Sequence, residues 1–232
     1  MRPILTVLLL LLAICPVKGY AQADTASPAE VKAPEMIVGH QLRFSFDISK
    51  PIYNLTQETS KSYEGAVDYY IGKEVYGVLE MGAGNSVYEY ADLSYRSSNS
   101  FVRVGVDKTL IKRLSGNDWD AAFIGVRYGL AFINRSDASY TITDSLWGTT
   151  SGTIPASTFT AHWAQVTGGV RVELLPHLMA GWNISAKFML NEKAFGELSP
   201  VFIAGYGKGD KSVAFDFNFY VCYALRWGGK GR

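Results

Sequence analysis

Seven charged residues occupy alternate positions within apolar surroundings: Arg103, Asp107, Arg127, Arg171, Glu173, Lys187 and Asp216. An ionised side chain sealed from water is tolerable only when paired and hydrogen-bonded. The spacing therefore predicts a buried network of ion pairs. Glu64 and Glu80 add carboxylates to the same pool. Lys187 and Asp216 stand at similar distances from the connecting segment 191–211, which makes them the expected cross-strand pair. Nucleophilic catalysis would instead need a His with a Ser and a carboxylate on one face. The only histidines are His40, His162 and His177. Parity turns His162 outward near Ser157 and Thr160, while His40 and His177 fall near the opposite rim, so no catalytic residue is assigned. No His/Cys/Asp cluster has ligand spacing, so neither a metal site nor a cofactor is expected. Gly205–Gly209 and Gly82–Gly84 read as turns, because neither follows a strand and opens a helix as a phosphate cradle does.

Strands are the elements that must hold these charges. In Ser212–Trp227 the residues Val213, Phe215, Phe217, Phe219, Val221, Tyr223, Leu225 and Trp227 alternate with Ala214, Asp216, Asn218, Tyr220, Cys222, Ala224 and Arg226. Period-two alternation puts the two sets on opposite faces of a strand. The same pattern recurs in Gly39–Ser49, Ser62–Ile71, Glu74–Gly84, Ser100–Lys108, Trp119–Ile133, Phe159–Leu174 and Leu178–Leu190. For Glu74–Gly84 the expected outward set is Val75, Gly77, Leu79 and Met81, because the other register turns Glu80 toward lipid. Connections after odd strands are long (50–61, 85–99, 134–158 and 191–211) and those after even strands are shorter, as in bacterial outer-membrane barrels. One apolar face and one charged face fit a polar lumen inside an apolar exterior, the reverse of a soluble binding barrel. The expected fold is all-β, an eight-stranded antiparallel transmembrane up-and-down barrel over residues 39–227.

The chain opens with Arg2 and the apolar run Ile4–Cys15, too short to span a bilayer and of secretory length. Ala21-Gln22-Ala23 supplies the small residues expected before cleavage. Residues 1–23 are thus expected to be a cleaved signal, 24–38 a flexible periplasmic lead and 228–232 a periplasmic tail. The formal charge is +1, and cleavage would remove Arg2 and Lys18. With no basic cluster, nothing points to nucleic acid. After cleavage Cys222 is the single cysteine, which excludes an intrachain disulfide.

Three stretches carry a family likeness: Tyr53 after the Lys50-Pro51 break, Arg103-Val-Gly-Val-Asp107, and Pro200–Lys208 leading into Phe215–Tyr223. Together with the signal and the eight strands, the chain resembles an uncharacterised family of Bacteroidota outer-membrane barrels, known only as a domain of unknown function, and similar to small eight-stranded outer-membrane proteins. The resemblance implies an outer-membrane location rather than an activity. It puts Trp227, followed here by GGKGR, in the place of the terminal aromatic that the barrel-assembly machinery reads. Membrane lipid and that machinery are the implied partners, with an extracellular ligand expected at loops 134–158 and 191–211. A structural or surface-interaction role through the loops leads. The alternatives are solute or proton passage through a gated lumen, a lipid-modifying enzyme, and a soluble lipocalin-like barrel.

Overall fold

The computed structural model describes residues 39–57, 59–90, 92–111, 118–195 and 198–228. The expected signal, the lead segment and residues 229–232 lie outside these. Among the described residues no helix is long and apolar enough to cross a membrane.

Eight strands form the wall: β1 (His40–Asp47), β2 (Ser60–Gly72), β3 (Val75–Glu89), β4 (Leu93–Thr109), β5 (Ala121–Arg135), β8 (Ser157–Leu175), β9 (Leu178–Met189) and β12 (Val213–Trp227). Each pairs antiparallel with its neighbours in the order β3-β2-β1-β12-β9-β8-β5-β4, and β3 pairs with β4 to close the ring. Closure pairs the first and last strands of that order with each other, so neither presents an unpaired row of N–H and C=O groups. One rim, here the lower, carries His40 and Trp227, which pair directly, and the tight turns at 73–74 and 176–177. The upper rim carries helix α1 (Ser49–Thr56), the hairpin of β6 (Ala138–Asp144) and β7 (Gly148–Ile154), a 3-10 turn (Glu192–Phe195), and the short pair β10 (Phe202–Ile203) and β11 (Gly207–Lys208).

The third strand adopts the register that keeps Glu80 inside. Tyr76, Val78 and Glu80 are buried, whereas Leu79 and Met81 are exposed. The turn consists of Lys73 and Glu74, both at positive φ (51° and 61°), and a bulge between Tyr70 and Gly72 supplies the extra residue that sets the parity. Pro51 does end β1, but by opening a helix: it lies in the first turn of α1, where a missing N–H does no harm.

Two expected loops are corrected. Residues 85–99 are mostly strand, because β3 runs to Glu89 and β4 begins at Leu93, so both continue beyond the apolar stretch that marked them. Residues 134–158 contain the β6–β7 hairpin, which is bonded to the top of β4 through Leu93 and Ser94. Its tip exposes Leu146 and Trp147, each 87% accessible.

The wall has one interruption. β1 stops at the pairs Asp47↔Tyr220 and Phe46↔Gly65, yet β12 continues upward to Val213 and β2 to Ser60. Above β1 these two strands have no strand between them, and α1 lies there instead. The Asn54 side chain substitutes for a strand on the β2 edge: its amide donates to the Ser62 carbonyl at 2.8 Å and accepts from the Ser62 N–H at 2.9 Å.

Candidate functional site

Inward-facing residues fill the lumen in three layers. At the lower end Tyr70, Tyr76, Val78, Trp119, Met179, Tyr220, Cys222 and Ala224 form an apolar floor. At the upper end Phe101, Ala131, Ile133, Ala161 and Trp163 pack against Phe195, Ile203, Ala204 and Tyr206. The last four come from the 191–211 connection, which folds into the mouth as a plug instead of standing clear as a surface loop. Gly129 leaves the space that the Trp163 indole occupies, since a Cβ there would lie 2.2 Å from the ring.

Between these layers the charges form one continuous alternating chain. Arg43 meets Asp68 at 3.3 Å, and Asp68 meets Arg171 at 3.3 Å. Arg171 reaches Asp107 at 3.3 Å, and Asp107 reaches Arg127 at 2.7 Å. Arg127 continues to Glu80 (3.3 Å), Glu80 to Arg103 (2.6 Å) and Arg103 to Glu64 (2.7 Å). Lys50 then stands 3.7 Å from Glu64 and 2.9 Å from Asp216, and Asp216 is 2.7 Å from Lys187. Every carboxylate of the chain lies between two cations, so the desolvation of each carboxylate is offset from two sides. Glycines again make the room: a Cβ on Gly125 would meet Asp107 Oδ1 at 2.0 Å.

Of the residues expected in the lumen, Arg103, Asp107, Arg127, Arg171, Lys187 and Asp216 are brought together in this chain. Glu173 is not, and that placement is corrected: two residues below Arg171, it sits at the lower rim and forms a bidentate pair with Arg226 at 2.8 and 2.9 Å. Arg43, Asp68 and Lys50 were not singled out from the sequence. Arg43 and Asp68 had the right parity and could have been found by it. Lys50 gave no such signal, because it reaches the lumen from α1.

The three histidines are dispersed. His162 bonds Tyr128 on the outer face at 3.1 Å. His40 stacks on Tyr69 and Trp227 at the lower rim, and His177 lies beside Tyr223. Among the described residues no group of three His, Cys, Asp or Glu could hold a metal ion.

The upper end of the charge chain forms the floor of a cleft of about 1100 Å³. Lys50, Glu64 and Asp216 lie at its base, Ser60, Ser62 and Ser86 line its inner wall, and Tyr53, Phe215 and Phe217 line its outer side. Lys50 and Asp216 retain some exposure (15% and 19% of their side chains), whereas Glu64 retains 2%.

Solved structures similar to the chain include Neisserial surface protein A, with 9% identity, a TM-score of 0.40 and coverage of 82% of this chain and 96% of that one, and the N-terminal β-barrel domain of Pseudomonas aeruginosa OprF, with 11% identity, a TM-score of 0.33 and coverage of 82% and 100%. No curated protein matches it. The family match is broader: residues 2–227 fit the family described as Domain of unknown function (DUF6048), and the chain belongs to that family.

Proposed function

We propose that this protein is an outer-membrane β-barrel, closed to solute, that acts as a surface scaffold through its upper rim. One observation carries the reading. Phe44, Phe46, Val104, Val106, Ile124, Val126, Ile184 and Phe217 are outward and exposed, while Arg43, Asp68, Arg103, Asp107 and Lys187 are inward and at most 1% exposed. In water this distribution is upside down, and in lipid it is the stable one. The filled lumen supports a structural role over passage. A proton path is disfavoured too, because the chain is interrupted by four arginines, which do not release their protons. The upper rim, outside the cell in this orientation, supplies the interaction surface, with the β6–β7 hairpin as its most prominent element. The partners implied are lipid, the barrel-assembly machinery and an extracellular ligand at 134–158.

Alkaline carbonate extraction tests the location: the protein should stay with the outer-membrane pellet, and recovery in the soluble periplasm would end the reading. Planar-bilayer recording tests closure. Purified protein should show no steady conductance, and stable single-channel steps would overturn the filled lumen.

A further inference from the structure

The cleft above the charge chain exists because β1 stops at Asp47. In the space above it, α1 presents Lys50 and Tyr53 from one face and Gln57 from its end. β2 and β3 present alternate residues of their inner faces: Ser60 and Ser62 from the first, Ser86, Tyr88 and Tyr90 from the second. The inward-folded 191–211 segment closes another side with Phe202 and Tyr206. Phe215 stands twelve steps above Trp227 on β12. At about 3.4 Å per residue and a tilt of about 40°, that is roughly 31 Å, above an apolar band about 25 Å tall. In the orientation proposed above, the cleft therefore opens to water.

The lining joins aromatic rings to neutral hydrogen-bonding groups. Tyr90 packs on Tyr88 with ring centroids 4.7 Å apart, and Tyr88 stacks on Tyr95 at 5.5 Å. Tyr95 is buried and accepts the Val201 N–H at 3.1 Å, so the row is anchored at its inner end. Tyr90, Tyr53 and Phe215 are each more than half exposed, and rings already held by neighbours lose little freedom when a ligand covers them. The ions of the lining leave no surplus among the described residues. Glu64 and Asp216 each lie between two cations of the chain. The other two, Glu89 and Lys208, are exposed and opposite in sign. A charged ligand thus meets no unmatched field. Pairing of a peptide strand on β2 is blocked as well, because the Asn54 side chain takes both backbone groups of Ser62.

We infer that this cleft binds a neutral oligosaccharide. A sugar ring has an apolar C–H face and a hydroxyl-bearing edge. The face suits the exposed rings of Tyr90 and Tyr53, and the edge suits Ser60, Gln57 and the Glu89 carboxylate. A volume of about 1100 Å³ is at the upper end for small-ligand sites, which fits several linked sugars better than one. The inference deepens the surface role proposed above by naming a ligand class for this part of the rim. Binding by purified protein does not depend on location, so carbonate extraction and the binding assay fail independently.

Isothermal titration and saturation-transfer NMR of the full-length protein, folded in a detergent without a sugar headgroup, test it. The neutral probes are maltotetraose, cellotetraose and N-acetylchitotetraose, with tetragalacturonate as the anionic probe and tetra-alanine as the peptide. At least one neutral probe should bind, and the anionic and peptide probes should not. Tyr90→Ala should weaken that binding about tenfold, while Tyr90→Phe, which keeps the ring, should leave it nearly unchanged. Heat-modifiable migration shows whether each variant is folded, and Tyr53→Ala repeats the test from α1 should Tyr90→Ala not fold. Tyr63→Ala removes an exposed ring from the outer face of β2, away from the cleft, and should change nothing. Binding of none of the neutral probes, tighter binding of the anionic or peptide probe, undiminished binding in folded Tyr90→Ala, or an equal loss in Tyr63→Ala would each overturn the inference.

Discussion

Asp216→Asn should destabilise the barrel far more than Lys187→Met, although the two residues form a single ion pair. Asp216 is shared: Lys187 stands 2.7 Å from it and Lys50 2.9 Å from it. Removing the negative charge leaves Lys187, 1% exposed, with neutral acceptors only, the Asn amide oxygen and the Tyr206 carbonyl at 3.5 Å. A stranded buried ammonium of this kind costs about 3–5 kcal/mol. Removing Lys187 leaves Asp216 paired with Lys50 and 19% exposed, a loss of about 1 kcal/mol once solvent screening is counted. An isolated pair would survive exchange of its charges. Here Lys187→Asp with Asp216→Lys brings a new ammonium against Lys50, so the exchange should recover little until Lys50→Met is added. Urea unfolding in lipid vesicles, followed by tryptophan fluorescence, measures every variant. Equal costs for the two single changes, or full recovery by exchange with Lys50 present, would refute the shared-carboxylate reasoning.

Cys222 is fully buried on the lumen face, so a bulky maleimide should modify folded protein slowly and denatured protein fast; rapid labelling of intact cells would mean that the floor of the lumen is open. Gly129→Ala should destabilise by about 1–3 kcal/mol through overpacking on Trp163, and Trp163→Leu in the same chain should recover part of that loss in the urea assay. Asp144 accepts the Leu146 and Trp147 N–H groups at 2.7 and 3.0 Å, and these bonds hold its carboxyl below the usual carboxylate range. A depressed carboxyl contributes order that is present above its unfolded pKa and lost as pH falls through its folded one. Trp147 fluorescence anisotropy should therefore fall at acid pH, and Asp144→Asn should remove that step.

The wall strands were legible because their residues face two different surroundings, a polar interior and an apolar exterior, which enforces alternation along each strand. Leu79 and Glu80 illustrate it: either register could be drawn, but only one puts the carboxylate inside, between Arg103 and Arg127. Toward the upper rim that constraint lapses. Residues 85–99 are rich in Ser, Asn and Tyr and carry no apolar alternation, so their strands were invisible although their hydrogen bonds are regular. The plug escaped for a different reason. Ile203, Ala204 and Tyr206 belong to a short apolar run broken by Gly205, and nothing local distinguishes a loop that folds inward from one that stands in water. Lys50 shows the same limit from the other side, since its role depends on a helix that lies where a strand would have been.

The alternating charge chain also bears on assembly. Its members come from all eight wall strands, and its upper end joins residues at the first and last of them, Lys50 just after β1 and Asp216 on β12. A sheet that has zipped from one edge but not yet met the other holds carboxylates and guanidinium groups with half their partners. The final seam between β1 and β12 completes them. Closure should therefore be all-or-none, with water retained in the lumen until the two ends of the sheet meet.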